Sequence, residues 1–160
     1  MTPIMFIAGP YTGKSMSDIE ANVTNAARWG GVVKRLGWVP LCPHTNFHWM
    51  ADEDVLGFGF GHKSYYSDAL VLLERCDAIL MIEGYEQSEG AKAERAFAEE
   101  HDIPVFKHRH WDSTHDGIPK AKHWGEYLFE WQRKRHALPV CEPLHASEEQ
   151  EEPCESTPKS

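Results

Sequence analysis

The chain has 160 residues, 41% of them hydrophobic, and a formal net charge of −9. That length supports one domain with a real core and is too short for two. The charge is uneven: residues 142–160 hold six Glu against one Lys, so the remainder is only mildly acidic, which argues against a duplex-binding surface and leaves any small anionic ligand needing a local site.

The segment from Met1 to Ala8 has no basic start, and no stretch approaches the roughly 20 apolar residues of a membrane span, so the expectation is a cytoplasmic protein without membrane contact. Cys42, Cys76, Cys141 and Cys154 show no CxxC spacing and read as free thiols. His108, His110 and His115 read as polar loop residues, because no Cys or carboxylate pattern completes a metal site. No metal or cofactor is expected.

In chain order, Ile4 to Ala8 is a short apolar run ended by Gly9-Pro10, which is how a first buried strand of a parallel sheet looks. Ser17 with Glu20 three residues on makes a capping box, and Ile19, Val23, Ala26, Ala27, Gly30 and Val33 then give helical spacing up to Gly37. Trp38 to Cys42 reads as a second strand that Pro40 confines to an edge or shortens. Residues 43–62 are rich in Gly, Asp, His and aromatics without period, which suits a functional loop.

From Ser64 the pattern is helical through Leu70, Leu73 and Cys76 into a third strand at Ala78 to Ile82. The Gly84 to Gln87 segment turns the chain, and Ser88 is placed to cap a helix beginning at Glu89 and rich in small residues. Ile103 to Phe106 is a fourth strand, and a last helix over about Ala121 to His136 carries Trp124, Tyr127, Leu128 and Trp131 on one face, as core or subunit interface. Residues 1–141 are read as the domain and 142–160 as an acidic disordered tail.

Strands alternating with helices predict a single α/β domain with a Rossmann-like, flavodoxin-like, doubly wound parallel sheet and a ligand crevice at the carboxyl ends of its strands. Three segments converge there: the loop from Gly9 to Ser15, the segment after the second strand, and Ser88 to Glu94.

The first of these, Ala8-Gly9-Pro10-Tyr11-Thr12-Gly13-Lys14-Ser15, fits a loosened P-loop pattern. Pro10 removes an amide from a loop whose amides should cradle phosphates, and the third strand runs into Glu83-Gly84 without the Asp that would help to hold magnesium. A P-loop phosphotransferase or nucleoside triphosphatase is therefore the rival enzyme reading, and a non-catalytic nucleotide-binding module is the rival of another class.

Taken together, Ile7-Ala8-Gly9-Pro10-Tyr11, Asp68 ahead of the run Leu72 to Ala78, and Ser88-x-Gly90-Ala91-x-x-Glu94-x-x-x-Ala98 resemble the nucleoside 2-deoxyribosyltransferase superfamily, which includes 2′-deoxynucleoside 5′-monophosphate N-glycosidases. The resemblance covers about residues 4–106, and its most specific part is the spacing from Ser88 to Glu94. It implies that Glu94 is the nucleophile, that Ser88 contacts sugar or phosphate, that Asp68 assists acid/base chemistry, and that Tyr11 with the backbone around Gly9 serves the sugar side. Asp68 stands one residue farther from Asp77 than the family spacing, a helical step of about 100°. Asp68 as a solvated or capping residue is the bland alternative, as an exposed helix residue is for Glu94. The resemblance also implies a homodimer or higher homo-oligomer.

The chemistry stands on its own terms. N-glycosidic cleavage passes through an oxocarbenium-like state that a carboxylate below C1′ can stabilise or trap as an ester. Thr12, Lys14, Ser15, Ser88 and Gly90 at the helix start are available to a 5′-phosphate, and Gly9, Pro10, Tyr11, His44, Phe47, His48 and Trp49 to the rest of a nucleoside or nucleotide.

Overall fold

The computed structural model describes residues 2–48, 62–108 and 118–135, with the side chains of 62–64 and 134–135 left aside. The calls on Trp49, His110, His115, Cys141, Cys154 and the boundary at 141 lie outside these residues. Four strands, β1 (Ile4–Ala8), β2 (Val39–Leu41), β3 (Ala78–Met81) and β4 (Val105–Lys107), form one all-parallel sheet in the order β2-β1-β3-β4. This is the expected doubly wound, flavodoxin-like arrangement. The central strands β1 and β3 are apolar throughout and buried on both faces, as the run-type sequence requires. β2 pairs with β1 alone, so Pro40, opposite Met5, sits on an edge strand where its missing N–H costs no ladder bond.

Helix α1 (Met16–Arg35) and α5 (Trp124–Arg135) contribute to one core cluster with Met5, Ile7, Leu80 and Phe106. Helix α3 (His62–Leu73) and α4 (Glu89–Glu100) contribute to the other, with Phe6, Ala8, Ile79 and Met81. The alternation of strand side chains between the two clusters is the period of two in an extended chain. A short helix, α2 (Pro43–Phe47), follows β2 and begins what the sequence suggested was wholly irregular.

Two local expectations are corrected. Helix α1 begins at Met16, not after Ser17: Ser15 is the N-cap, its hydroxyl accepting from the Asp18 amide at 3.2 Å while the Asp18 carboxylate accepts from the Ser15 amide at 2.9 Å. Both Ser-x-x-acid pairs were available in the sequence, and the earlier one closes the loop that leaves β1 sooner. Ala27 is exposed, and Trp29 and Val32 complete the buried face instead.

Elsewhere the ends differ by a residue or two, as at β4, which starts after Pro104. Asp77 has the structural role its place suggests. Its carboxylate accepts the Ile4 amide at 2.7 Å, and its own amide donates to the Ile4 carbonyl at 2.9 Å, which ties the start of β1 to that of β3. Trp124, Tyr127 and Leu128 of the stripe belong to the core: Trp124 packs on Trp38 with centroids 4.8 Å apart, and Tyr127 on Phe106 at 5.3 Å. Cys42 and Cys76 are free and buried. Among the described residues, no helix is long and apolar enough to cross a membrane, and no group of three or more His, Cys, Asp or Glu could hold a metal ion.

Candidate functional site

In this strand order the connections run in opposite directions from β1 and β3, so the switch point, where open α/β sheets form a crevice, lies between the carboxyl ends of those two strands. A cleft of about 440 Å³ lies there, within the size range of small-molecule sites. Gly9, Tyr11 and Thr12 line it from the loop after β1, Pro43, His44 and Phe47 from α2, Tyr65, Tyr66 and Ala69 from α3, and Gln87 to Ala91 with Glu94 from the start of α4.

The loop after β1 is held tightly against its surroundings. A Cβ on Gly9 would stand 2.4 Å from Ile82 Cγ1, and one on Gly13 would stand 2.2 Å from Asp18 Cβ, so the chain passes where no side chain fits. Between these points Asn22 Nδ2 donates to the Tyr11 carbonyl at 3.2 Å and the Thr12 carbonyl at 3.1 Å. His44 Nε2 lies 3.1 Å from the Gly9 carbonyl, which can only accept, so this nitrogen carries the proton. Burial lowers the His44 pKa, so the ring is neutral at neutral pH and acts as a strut between α2 and the loop.

The Tyr11 ring, 5.9 Å from the His44 ring, extends its hydroxyl to within 3.3 Å of His48 Nδ1. Burial raises the pKa of that hydroxyl. Phe47 and Tyr65, with centroids 5.7 Å apart, make an aromatic wall.

On the opposite side Gly84, at φ +86°, starts a 3₁₀ turn over Tyr85–Gln87, and Ser88 caps α4 by accepting the Ala91 amide at 3.2 Å. The following helix brings Glu94 inward. It is 9% exposed, beside the buried Ala91 and Ala98, and its carboxyl, which borders the cleft, has no hydrogen-bond or ion-pair partner among the described residues. Burial pushes this carboxyl up to about 8, so it is mostly protonated at neutral pH. A nine-tenths buried carboxyl without a partner among the described residues is costly to keep. Its placement in a cleft is a mark of function rather than of folding.

The structure thus brings Gly9, Tyr11, Thr12, His44, Ser88, Gly90 and Glu94 to one cleft. It does not bring Pro10, Lys14, Ser15 or Asp68 there. Pro10 packs on the turn, where a Cβ on Gly84 would stand 3.1 Å from its Cγ. Lys14 is exposed, and Ser15 is spent on capping α1. Asp68 is exposed and Ala69, one residue on, holds the cleft-facing position of α3. The single-step offset seen in the sequence is the physical reason, since one residue turns the side chain by about 100°.

Sequence reasoning missed Tyr65 and Tyr66, the spacing of which from Ala69 would have placed all three near one helix face, and Gln87 and Glu89 beside Ser88. It also missed Asn22, whose role depends on a loop conformation that no spacing encodes.

Residues 3–107 match the family described as a domain of unknown function, DUF4406, and the chain belongs to that family. The match runs from β1 through β4 and takes in every segment that lines the cleft. No curated protein matches the chain.

Proposed function

We propose that the cleft cleaves the N-glycosidic bond of a nucleoside or nucleoside 5′-monophosphate, with Glu94 as nucleophile, and either hydrolyses the sugar or passes it to a second base. The observation that carries this reading is the buried Glu94 carboxyl, without a partner among the described residues, in a cleft walled by aromatic rings. The wall of Phe47, Tyr65 and Tyr66 suits a flat base, and the hydroxyls of Thr12 and Ser88 suit the sugar side.

In the first step an ionised Glu94 oxygen bonds to C1′ while the C1′–N bond breaks, its electron pair leaving with the base, which takes up a proton. The Tyr11 hydroxyl can give that proton, and it can be replenished through His48, 3.3 Å away. In the second step water, or the N–H of an incoming base, attacks C1′ and breaks its ester bond to Glu94, the proton returning to the Tyr11–His48 pair and the Glu94 carboxylate leaving free. Because attack needs the ionised carboxylate and burial holds this group at about 8, kcat/KM rises with pH toward that value and levels above it. A general-acid role for Glu94 would give a fall over the same range.

The test is release of free base from a panel of nucleosides and nucleoside monophosphates. Glu94→Ala is expected to lower the rate by on the order of 10³-fold or more. Release by that variant at the wild-type rate would refute the assignment. The exposed position of Asp68 favours one second reading, a nucleoside-binding module without chemistry. Tight binding with no free base after long incubation would establish it. The exposure of Lys14 outside the cleft weighs against the P-loop reading, which magnesium-dependent ATP turnover lost in Lys14→Ala would restore. The implied homo-oligomer is read by sedimentation of the full chain.

A further inference from the structure

Resting on the glycosidic reading above, we propose that the cleft takes a neutral nucleoside with a free 5′-hydroxyl in preference to its 5′-monophosphate. The sequence offers four side chains to a phosphate, and the fold divides them. Thr12 and Ser88 reach the cleft, whereas Lys14, the one cation of the set, is exposed outside it, and Ser15 has both its amide and its hydroxyl engaged with Asp18.

Among the described lining residues none is Lys or Arg, and two are acidic: Glu94 within and Glu89 at the rim. Lys92 is paired with Glu89 on the exposed side of α4. Among the described residues the positive influence left to the cleft is the start of α4, where Ser88 engages the Ala91 amide and only the neutral Glu89 and Gly90 amides are left, a weaker offset than a cation.

A phosphate dianion drawn into this cleft would lie near carboxyl groups with no cation among the described lining residues to offset it. It would also hold Glu94 in its protonated form, against the ionisation that attack requires. A 5′-hydroxyl carries no such penalty, and the Ser88 hydroxyl, accepting from Ala91, still has its own proton to donate.

The experiment compares kcat/KM for 2′-deoxynucleosides and the 5′-monophosphates of the same bases on the full chain, with titration calorimetry of both ligands on Glu94→Gln as the second arm. Nucleosides are expected to be favoured by about tenfold or more, with the preference narrowing several-fold in Glu89→Lys. Equal or better turnover of the monophosphates overturns the preference and leaves the glycosidic reading standing. Free base from neither ligand overturns the glycosidic reading. The calorimetric arm then still decides the preference, which tighter nucleoside binding upholds and tighter nucleotide binding overturns.

Discussion

The two faces of one four-stranded sheet are filled in opposite ways. Against α1 and α5 the space is taken by rings: Trp29, Trp38, Phe106 and Trp124 are buried together, Trp124 stacks on Tyr127, and the Trp38 indole donates to the Pro119 carbonyl at 2.7 Å. Against α3 and α4 much of it is taken by Ala69, Ala91 and Ala98 beside Leu73, Phe6 and Tyr85. Two of those alanines, Ala69 and Ala91, line the cleft. Large side chains convert one face into packing, and small ones leave volume on the other, next to the buried Glu94 carboxyl. The first face is close-packed and the second holds the cleft, the arrangement expected where a rigid scaffold carries a site.

Three measurements would break or sharpen that contrast. Trp38 is fully buried, so Trp38→Ala should cost about 3–5 kcal/mol in urea unfolding, through lost ring contacts and an orphaned Pro119 carbonyl. A loss under about 1 kcal/mol would mean that the aromatic face is not the main core.

Next is Glu94, where the sign of the effect follows from its pKa. Its folded-state value, about 8, lies above the ordinary 4.5, so folding takes up a proton between those limits. Stability is then greatest below 4.5, falls by up to about 1.4 kcal/mol per pH unit through the window, and is flat above about 8. Glu94→Gln lacks this penalty. It should match the wild type near pH 4 and exceed it by on the order of a few kcal/mol at pH 8, read from denaturation at both pH values. A constant gap would show that the carboxyl is not held protonated in the folded state. Smallest is Ser88→Ala, which removes the α4 cap at a cost of about 1 kcal/mol and should speed hydrogen exchange at the Ala91 amide. An unchanged exchange rate would mean that the cap contributes nothing to the cleft wall.

Much of the architecture was legible, and for identifiable reasons. The apolar runs of β1 and β3 read as buried parallel strands because both their faces are covered, and Pro40 marked an edge because it lacks a donor. Ser88 announced α4 because a hydroxyl before a helical pattern has one strong use. The start of α1 was misplaced because two overlapping Ser-x-x-acid pairs satisfy the same rule, and only the path of the loop chooses between them. In the cleft, Ser88 and Glu94 were legible through their spacing on one short helix. Lys14 and Ser15 looked like cleft residues because they follow the right strand, but distance along a loop does not say which way it turns.

The sequence by itself determined the order of strands and helices, the edge character of β2 and the helix that bears Glu94, because each rests on interactions among residues close in the chain. Tertiary structure decided that Glu94 is buried without a partner among the described residues, that Ala69 rather than Asp68 lines its cleft, and that the one cation of the first loop stays outside. Those outcomes depend on how helices from distant parts of the chain are rotated against the sheet, and a rotation of one residue is enough to exchange a carboxylate for a methyl group.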